Sequence, residues 1–216
     1  GLQEIGVQTA FALDASSDPS DNILGPGNSG RPRIDEFRTA IETLIDSRGV
    51  LVPETDWVAA YTTSSNIDKF RTISNWTQDH GALRNDVLLY SPAGDIPRNT
   101  SLFELLTFVL DRFNDSRVPV NTVKSIVVFS NGYDATSDLD INDAIDRARE
   151  MNVRIYTVMV GPEAETRRSN LERIAKLTNG AYFVLRDPVT DLDPIWEALR
   201  QQRRQLVLTY DLGKIQ

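Results

Sequence analysis

The sequence has no cysteine and a single histidine, His80, in 216 residues. Without thiols there are no disulfide staples and no thiolate metal sites. With one imidazole, most zinc sites fall away, as does every histidine-based catalytic triad that does not run through His80. Positive charge is also scarce: 23 Lys and Arg stand against 31 Asp and Glu, a formal net charge of −8. An acidic surface opposes nucleic acid and anionic lipid as main partners, since both require a basic patch. The one basic cluster, QQRRQ with Arg203 and Arg204, is too short for a nucleic-acid groove and reads as the solvated end of a helix. No run approaches the ~20 apolar residues of a membrane span, so no membrane insertion is expected. There is no Gly-x-Gly-x-x-Gly after the first apolar run and no P-loop lysine. Gly25-Pro26-Gly27-Asn28 lies too far past that run and carries a proline. No signal peptide is visible, and the abrupt start at Gly1 suits a fragment excised from a larger chain.

What is present is ordinary globular material, 40% hydrophobic and 25% charged, arranged as alternating strands and helices. Ile5 to Leu13 is an apolar run of strand length. Phe37, Ala40, Ile41, Leu44 and Ile45 share one helical face within 35–46, with Gly49 as a C-cap. Asp56 to Thr62 reads as a second strand. An edge strand near Lys69 to Ile73 and a short helix from about Asp79 follow, although Val87 to Tyr90 reads equally well as a strand. Ser101 to Glu104 has the form of a capping box, and Leu102, Leu105, Leu106, Val109, Leu110 and Phe113 continue it as a helix. Ser125 to Phe129 and Val153 to Val160 are continuous apolar strands, as expected where both sheet faces are covered. Ile141, Ala144, Ile145 and Ala148 form a helical stripe with Asp140 as its N-cap. A second capping-box pattern at Ser169 to Glu172 opens another helix, which Asn179-Gly180 ends. Ala181 to Leu185 is a short strand, Pro188 suits the first turn of a last helix, and Gln205 to Leu212 leaves as an extended segment. Repeated strand–helix units predict an α/β, Rossmann-like, doubly wound and mostly parallel sheet of six strands, one antiparallel at the edge. Helices cover both faces, and 1–216 form a single domain.

In such a sheet ligands bind beyond the carboxyl ends of the strands, where strand order reverses. After the first strand come Asp14, Ser16, Ser17 and Asp18; after Ser125 to Phe129 come Ser130, Asn131 and Asp134; Asn99-Thr100 precedes the Leu102 helix. Carboxylate, hydroxyl and amide oxygens are hard donors. They suit Mg²⁺, Mn²⁺ or Ca²⁺, and not zinc or copper.

An apolar strand ending in Asp-x-Ser-x, a Thr opening a later helix and a Ser-x-Gly turn after a β-branched strand together resemble the von Willebrand factor A domain, the fold of integrin I domains. The resemblance covers nearly the whole chain, including the Asn179-Gly180-Ala181-Tyr182 strand entry and the final Tyr210-bearing segment. It implies a metal-ion-dependent adhesion site of the pattern Asp-x-Ser-x-Ser, then Thr, then Asp, whose metal bridges to an acidic side chain of a protein partner. Carried over, the candidate metal residues are Asp14, Ser16, Asp18, Thr100 and Asn131. Asp18 stands where a second serine is expected, and Asn131 where the last aspartate is expected. If Asp18 ligates directly, it neutralises part of the metal's charge and weakens capture of a partner carboxylate. Asn131 keeps hydrogen-bonding capacity but no charge.

Each feature also has a plainer explanation. Asp14 to Asp18 can satisfy backbone groups in a turn, Thr100 can help cap a helix, and Ser130-Asn131-Gly132 is a good turn by itself. His80 reads as a surface or helix-start residue, and Trp57, Trp76 and Trp196 as core or groove lining. Asp134 to Asp143 lacks the glycine and glutamate of an EF-hand and reads as a solvated loop running into a helix cap. The expected function is a non-enzymatic protein-interaction module, a monomeric domain of a larger chain. Its place is extracellular or at the cell surface, with the cytoplasm as the alternative. The rival is a metal-free scaffold of the same fold. A phosphatase using Asp14 as nucleophile stands third, because it would want an aspartate where Ser16 is.

Overall fold

The computed structural model describes residues 6–15, 27, 29–46, 50–65, 69–92, 101–161 and 167–201. Six strands form one sheet: β1 (Val7–Leu13), β2 (Trp57–Thr63), β3 (Phe70–Thr77), β4 (Val123–Ser130), β5 (Val153–Met159) and β6 (Tyr182–Val184). Their spatial order is β3-β2-β1-β4-β5-β6. Every neighbouring pair is parallel except β2 with β3, so the sheet is the doubly wound, mostly parallel one expected. The chain leaves β1 towards β2 and β3, then returns to build β4, β5 and β6 on the other side. Strand order therefore reverses between β1 and β4.

The helices are α1 (Arg33–Asp46), α2 (His80–Leu89), α3 (Leu102–Asp111), α4 (Ile141–Glu150), α5 (Arg168–Leu177) and a last one, α6, over residues 193–201. One core joins α1, α2 and α6 to the sheet through Phe37, Leu44, Leu83 and Trp196. The other joins α3, α4 and α5 through Leu105, Val109, Ala144, Ile145 and Ile174. All seven residues of β1 are buried, because it lies between both cores. Phe37 meets Phe129 edge-to-face at 5.1 Å, pinning α1 over β4.

Several local expectations need correction. Val87 to Leu89 is helical, closing α2, and Asp79 caps that helix by accepting the Ala82 N–H at 3.0 Å. His80 does start the helix, but it is buried and pairs with the Asp56 carbonyl at 3.1 Å. Asp56 is itself buried at the entry of β2, where its carboxylate accepts the N–H groups of Val7 and Val52. Ser169 lies inside α5, not ahead of it: the N-cap is Arg167, with no side-chain cap bond. Pro188 sits in a turn that Asp187 and Asp191 organise by accepting the N–H groups of Val189, Arg186 and Asp187, and α6 begins only at 193. Gly49 and the 205–212 segment lie outside the described residues.

Candidate functional site

β1 and β4 end side by side, with Leu13 opposite Phe129. The Asp14 N–H continues the ladder by donating to the Phe129 carbonyl at 2.9 Å. This sets Asp14 next to Ser130. The Ser130 hydroxyl donates to Asp14 Oδ2 at 2.7 Å and accepts the Gly132 N–H at 2.9 Å. Asp14 is 4% exposed and Ser130 fully buried, and polar groups buried this deeply are costly unless hydrogen-bonded, as these are. The Ala15 N–H donates to Thr63 Oγ1 at 2.9 Å, tying the same loop to the end of β2.

Asn131 is also buried. Its Oδ1 accepts the Tyr133 N–H at 3.0 Å, an Asx turn that folds the chain back. Gly132 takes φ +83°, a conformation open to glycine at little cost. α5 locks the turn from outside. The Arg167 N–H donates to the Asn131 carbonyl at 2.8 Å, and Asn170 Nδ2 to the Gly132 carbonyl at 2.9 Å. A Cβ on Gly132 would lie 2.4 Å from the Arg167 carbonyl oxygen, so glycine is required by contact as well as by dihedral.

The same loop then reaches α3. The sequence suggests that Ser101 caps this helix, but Ser101 makes no side-chain cap bond. Its hydroxyl pairs with that of Thr136 at 2.8 Å, and its backbone forms an isolated bridge with Asp134. The cap is borrowed: Asp134 Oδ2 accepts the Phe103 N–H at 2.7 Å, and the Ser137 hydroxyl accepts the Glu104 N–H at 3.2 Å. Asp134 also accepts the Ser137 N–H and hydroxyl, at 3.0 and 2.7 Å. A carboxylate at a helix N-terminus satisfies orphan N–H groups and complements the helix dipole. Asp134 is thus no solvated loop residue, whereas Asp140 does cap α4 as expected, and the structure adds a capping box with Asp143.

Of the five candidate residues, Asp14 and Asn131 come together on adjacent strand ends, with Ser130 between them. Ser16, Asp18 and Thr100 lie outside the described residues. Among the described residues, no three His, Asp or Glu side chains cluster as a metal site. The donors that are described still suit a hard cation: a buried carboxylate flanked by hydroxyl and amide oxygens, with no nitrogen or sulfur. Ser130 and Asp134 stood among the strand-end residues in the sequence, but not among the five candidate ligands. The signal for Ser130 was register, a hydroxyl ending the strand that pairs with the strand ending in Asp14.

With this geometry in place, comparison with known proteins is informative. Residues 10–194 match the von Willebrand factor type A domain family, and the chain belongs to that family. Its domains serve in general as protein-interaction modules. A comparison with curated proteins finds no match. In fold, the chain is similar to an aerotolerance-related membrane protein from Bacteroides fragilis bearing multiple mutations to serines. The TM-score is 0.71 at 16% identity, covering 93% of this chain and 100% of that one. It is likewise similar to the conserved hypothetical protein BatB from Bacteroides thetaiotaomicron, with TM-score 0.72 at 15% identity, covering 92% of this chain and 100% of that one. A third similar structure is proximal thread matrix protein 1 from the mussel byssus, with zinc in its MIDAS motif. It gives TM-score 0.61 at 13% identity, covering 94% of this chain and 46% of that one.

Proposed function

We propose that the chain is a non-catalytic interaction domain that binds a protein partner at the carboxyl edge of the sheet, over β1 and β4, through a divalent cation. Mg²⁺, Mn²⁺ and Ca²⁺ are the ions its oxygen donors suit. Asp14, Ser16, Asp18, Thr100 and Asn131 would hold it. A bound cation supplies a positive centre for an acidic side chain of the partner. The observation that carries this reading is the buried Asp14 carboxylate, bonded to Ser130 beside Asn131 at the point where strand order reverses. The domain works as one unit, 1–216, of a larger chain at the cell surface, in keeping with its likeness to a membrane protein of Bacteroides fragilis.

A second reading, the metal-free scaffold, has its own support. Asn131 Oδ1 already accepts the Tyr133 N–H, so this side chain serves the turn without any ion. Calorimetry with Mg²⁺, Mn²⁺ and Ca²⁺ on the native chain and on Asp14→Ala separates the two. Saturable binding lost in Asp14→Ala supports the cation site. No heat with any of the three ions at millimolar concentration rejects it in favour of the scaffold.

A further inference from the structure

Arg167 is placed beside Asn131 more firmly than a surface arginine needs to be. Its N–H binds the Asn131 carbonyl at 2.8 Å, and its own carbonyl occupies the space a Gly132 side chain would take. Asn170, three residues on, is bonded to the Gly132 carbonyl. Arg167 is exposed, and its guanidinium lies over the half-buried Tyr133 ring, 4.8 Å from the centroid. That stacking orients a planar donor fork while leaving its edge N–H groups to solvent.

Arg117, Arg147, Arg149 and Arg168 are each set against a carboxylate: Asp115, Asp111, Asp146 and Glu172. Among the described residues Arg167 has no such partner. The turn below it carries a neutral amide, Asn131. The carboxylate on that turn, Asp134, is committed to the N–H of Phe103 and to Ser137, while Glu163 and Glu165, which precede Arg167 in sequence, lie outside the described residues. A chain of net charge −8 thus holds a preoriented guanidinium, without an ion-pair partner among the described residues, at the rim of its candidate site.

We propose that Arg167, steadied by Tyr133, is a specificity-determining residue that takes a carboxylate from an acidic segment of the protein partner. This rests on the proposed site over β1 and β4, but it does not require the cation. It places the partner's acidic contact on the α5 side of the site, at the turn where Asn131 itself has no charge.

The test uses a capped hexaglutamate peptide as probe and a capped hexaglutamine peptide as neutral control, read from amide shifts of the ¹⁵N-labelled chain at low salt. Two buffers are compared, one with Mg²⁺ and one stripped on a chelating resin. Hexaglutamate is expected to shift the amides of Asn131, Gly132, Tyr133 and Arg167 saturably, while hexaglutamine does not. Arg167→Gln should raise Kd about tenfold, the loss of one charge-assisted contact. Arg167→Lys should recover part of this, and Tyr133→Leu should fall between, since the charge stays but its orientation is lost. Binding that needs Arg167 and survives metal stripping upholds the proposal. Binding that needs Mg²⁺ but is equal in Arg167→Gln upholds the cation and overturns the proposal. Shifts confined to other residues, or no binding at all, overturn it too.

Discussion

Replacing Asp134 by alanine tests whether the loop after β4 sustains α3. The substitution removes the acceptor for the Phe103 N–H at 2.7 Å and for the N–H and hydroxyl of Ser137 at 3.0 and 2.7 Å. Loss of an N-cap side chain costs about 1 kcal/mol, and a hydrogen bond to a charged group contributes about 1.5–3 kcal/mol. Ser137 and the two backbone N–H groups regain part of this from water, since the site is only half-buried. The expected net loss is therefore about 2 kcal/mol. With a urea slope of about 2 kcal/mol/M, the unfolding midpoint should drop by about 1 M at unchanged slope. Asp138→Ala is the control, because only the Asp138 backbone N–H joins this network, through Glu104. Asp134→Asn should fall between, having one oxygen where two are used. If Asp134→Ala loses no more than Asp138→Ala, or if amide exchange at Phe103 and Glu104 stays as slow as in the native chain, the borrowed cap does not hold the helix.

Gly132→Ala should cost about 2 kcal/mol through its positive φ and the Arg167 carbonyl, and should speed exchange of the Arg167 amide; thermal unfolding and exchange rates that match the native chain would contradict this. Burial pushes the Glu36 carboxyl above its ordinary range, although hydrogen bonds from Ser29 and the charges of Arg33 and Arg31 pull it down. Folding thus favours its protonated form, and the share of stability it contributes is lost as pH rises from the ordinary carboxylate value through the raised one. Glu36→Gln should gain on the native chain across that rise in paired urea melts, and a constant gap would refute the sign. Hydrogen bonds from the Arg117 side chain and backbone lower the Asp115 carboxyl to about 2. Arg117→Ala should return it towards the ordinary range in a carboxylate NMR titration, and an unmoved value would show that Arg117 is not the cause.

The order of the sheet was legible because each strand is a run of apolar or β-branched residues and each helix repeats its apolar face. Those signals are local. Phe37, Ala40 and Leu44 had only to recur at helical spacing, and they are buried as expected. Two of the failures share a cause, a partner distant in sequence. Ser101 looks like a cap by its spacing to Glu104, yet the acceptors for Phe103 and Glu104 come from 31 and 33 residues away. His80 looks exposed because α2 begins there, but the carbonyl that buries it belongs to Asp56. At the site, Asp14 and Asn131 were readable as strand-end residues, whereas the bond from Ser130 to Asp14 follows only from the β1–β4 register.

The placement of β1 also sets a timetable. Thr9 on β1 and its partner Ser125 on β4 are 116 residues apart, so at about 5–20 residues per second β4 emerges roughly 6–23 s after β1 during synthesis. For that interval β1 can pair with β2 but lacks its other neighbour. A strand destined for burial on both faces then presents one edge of unpaired backbone N–H and C=O groups, which favours association of the nascent protein at that stage.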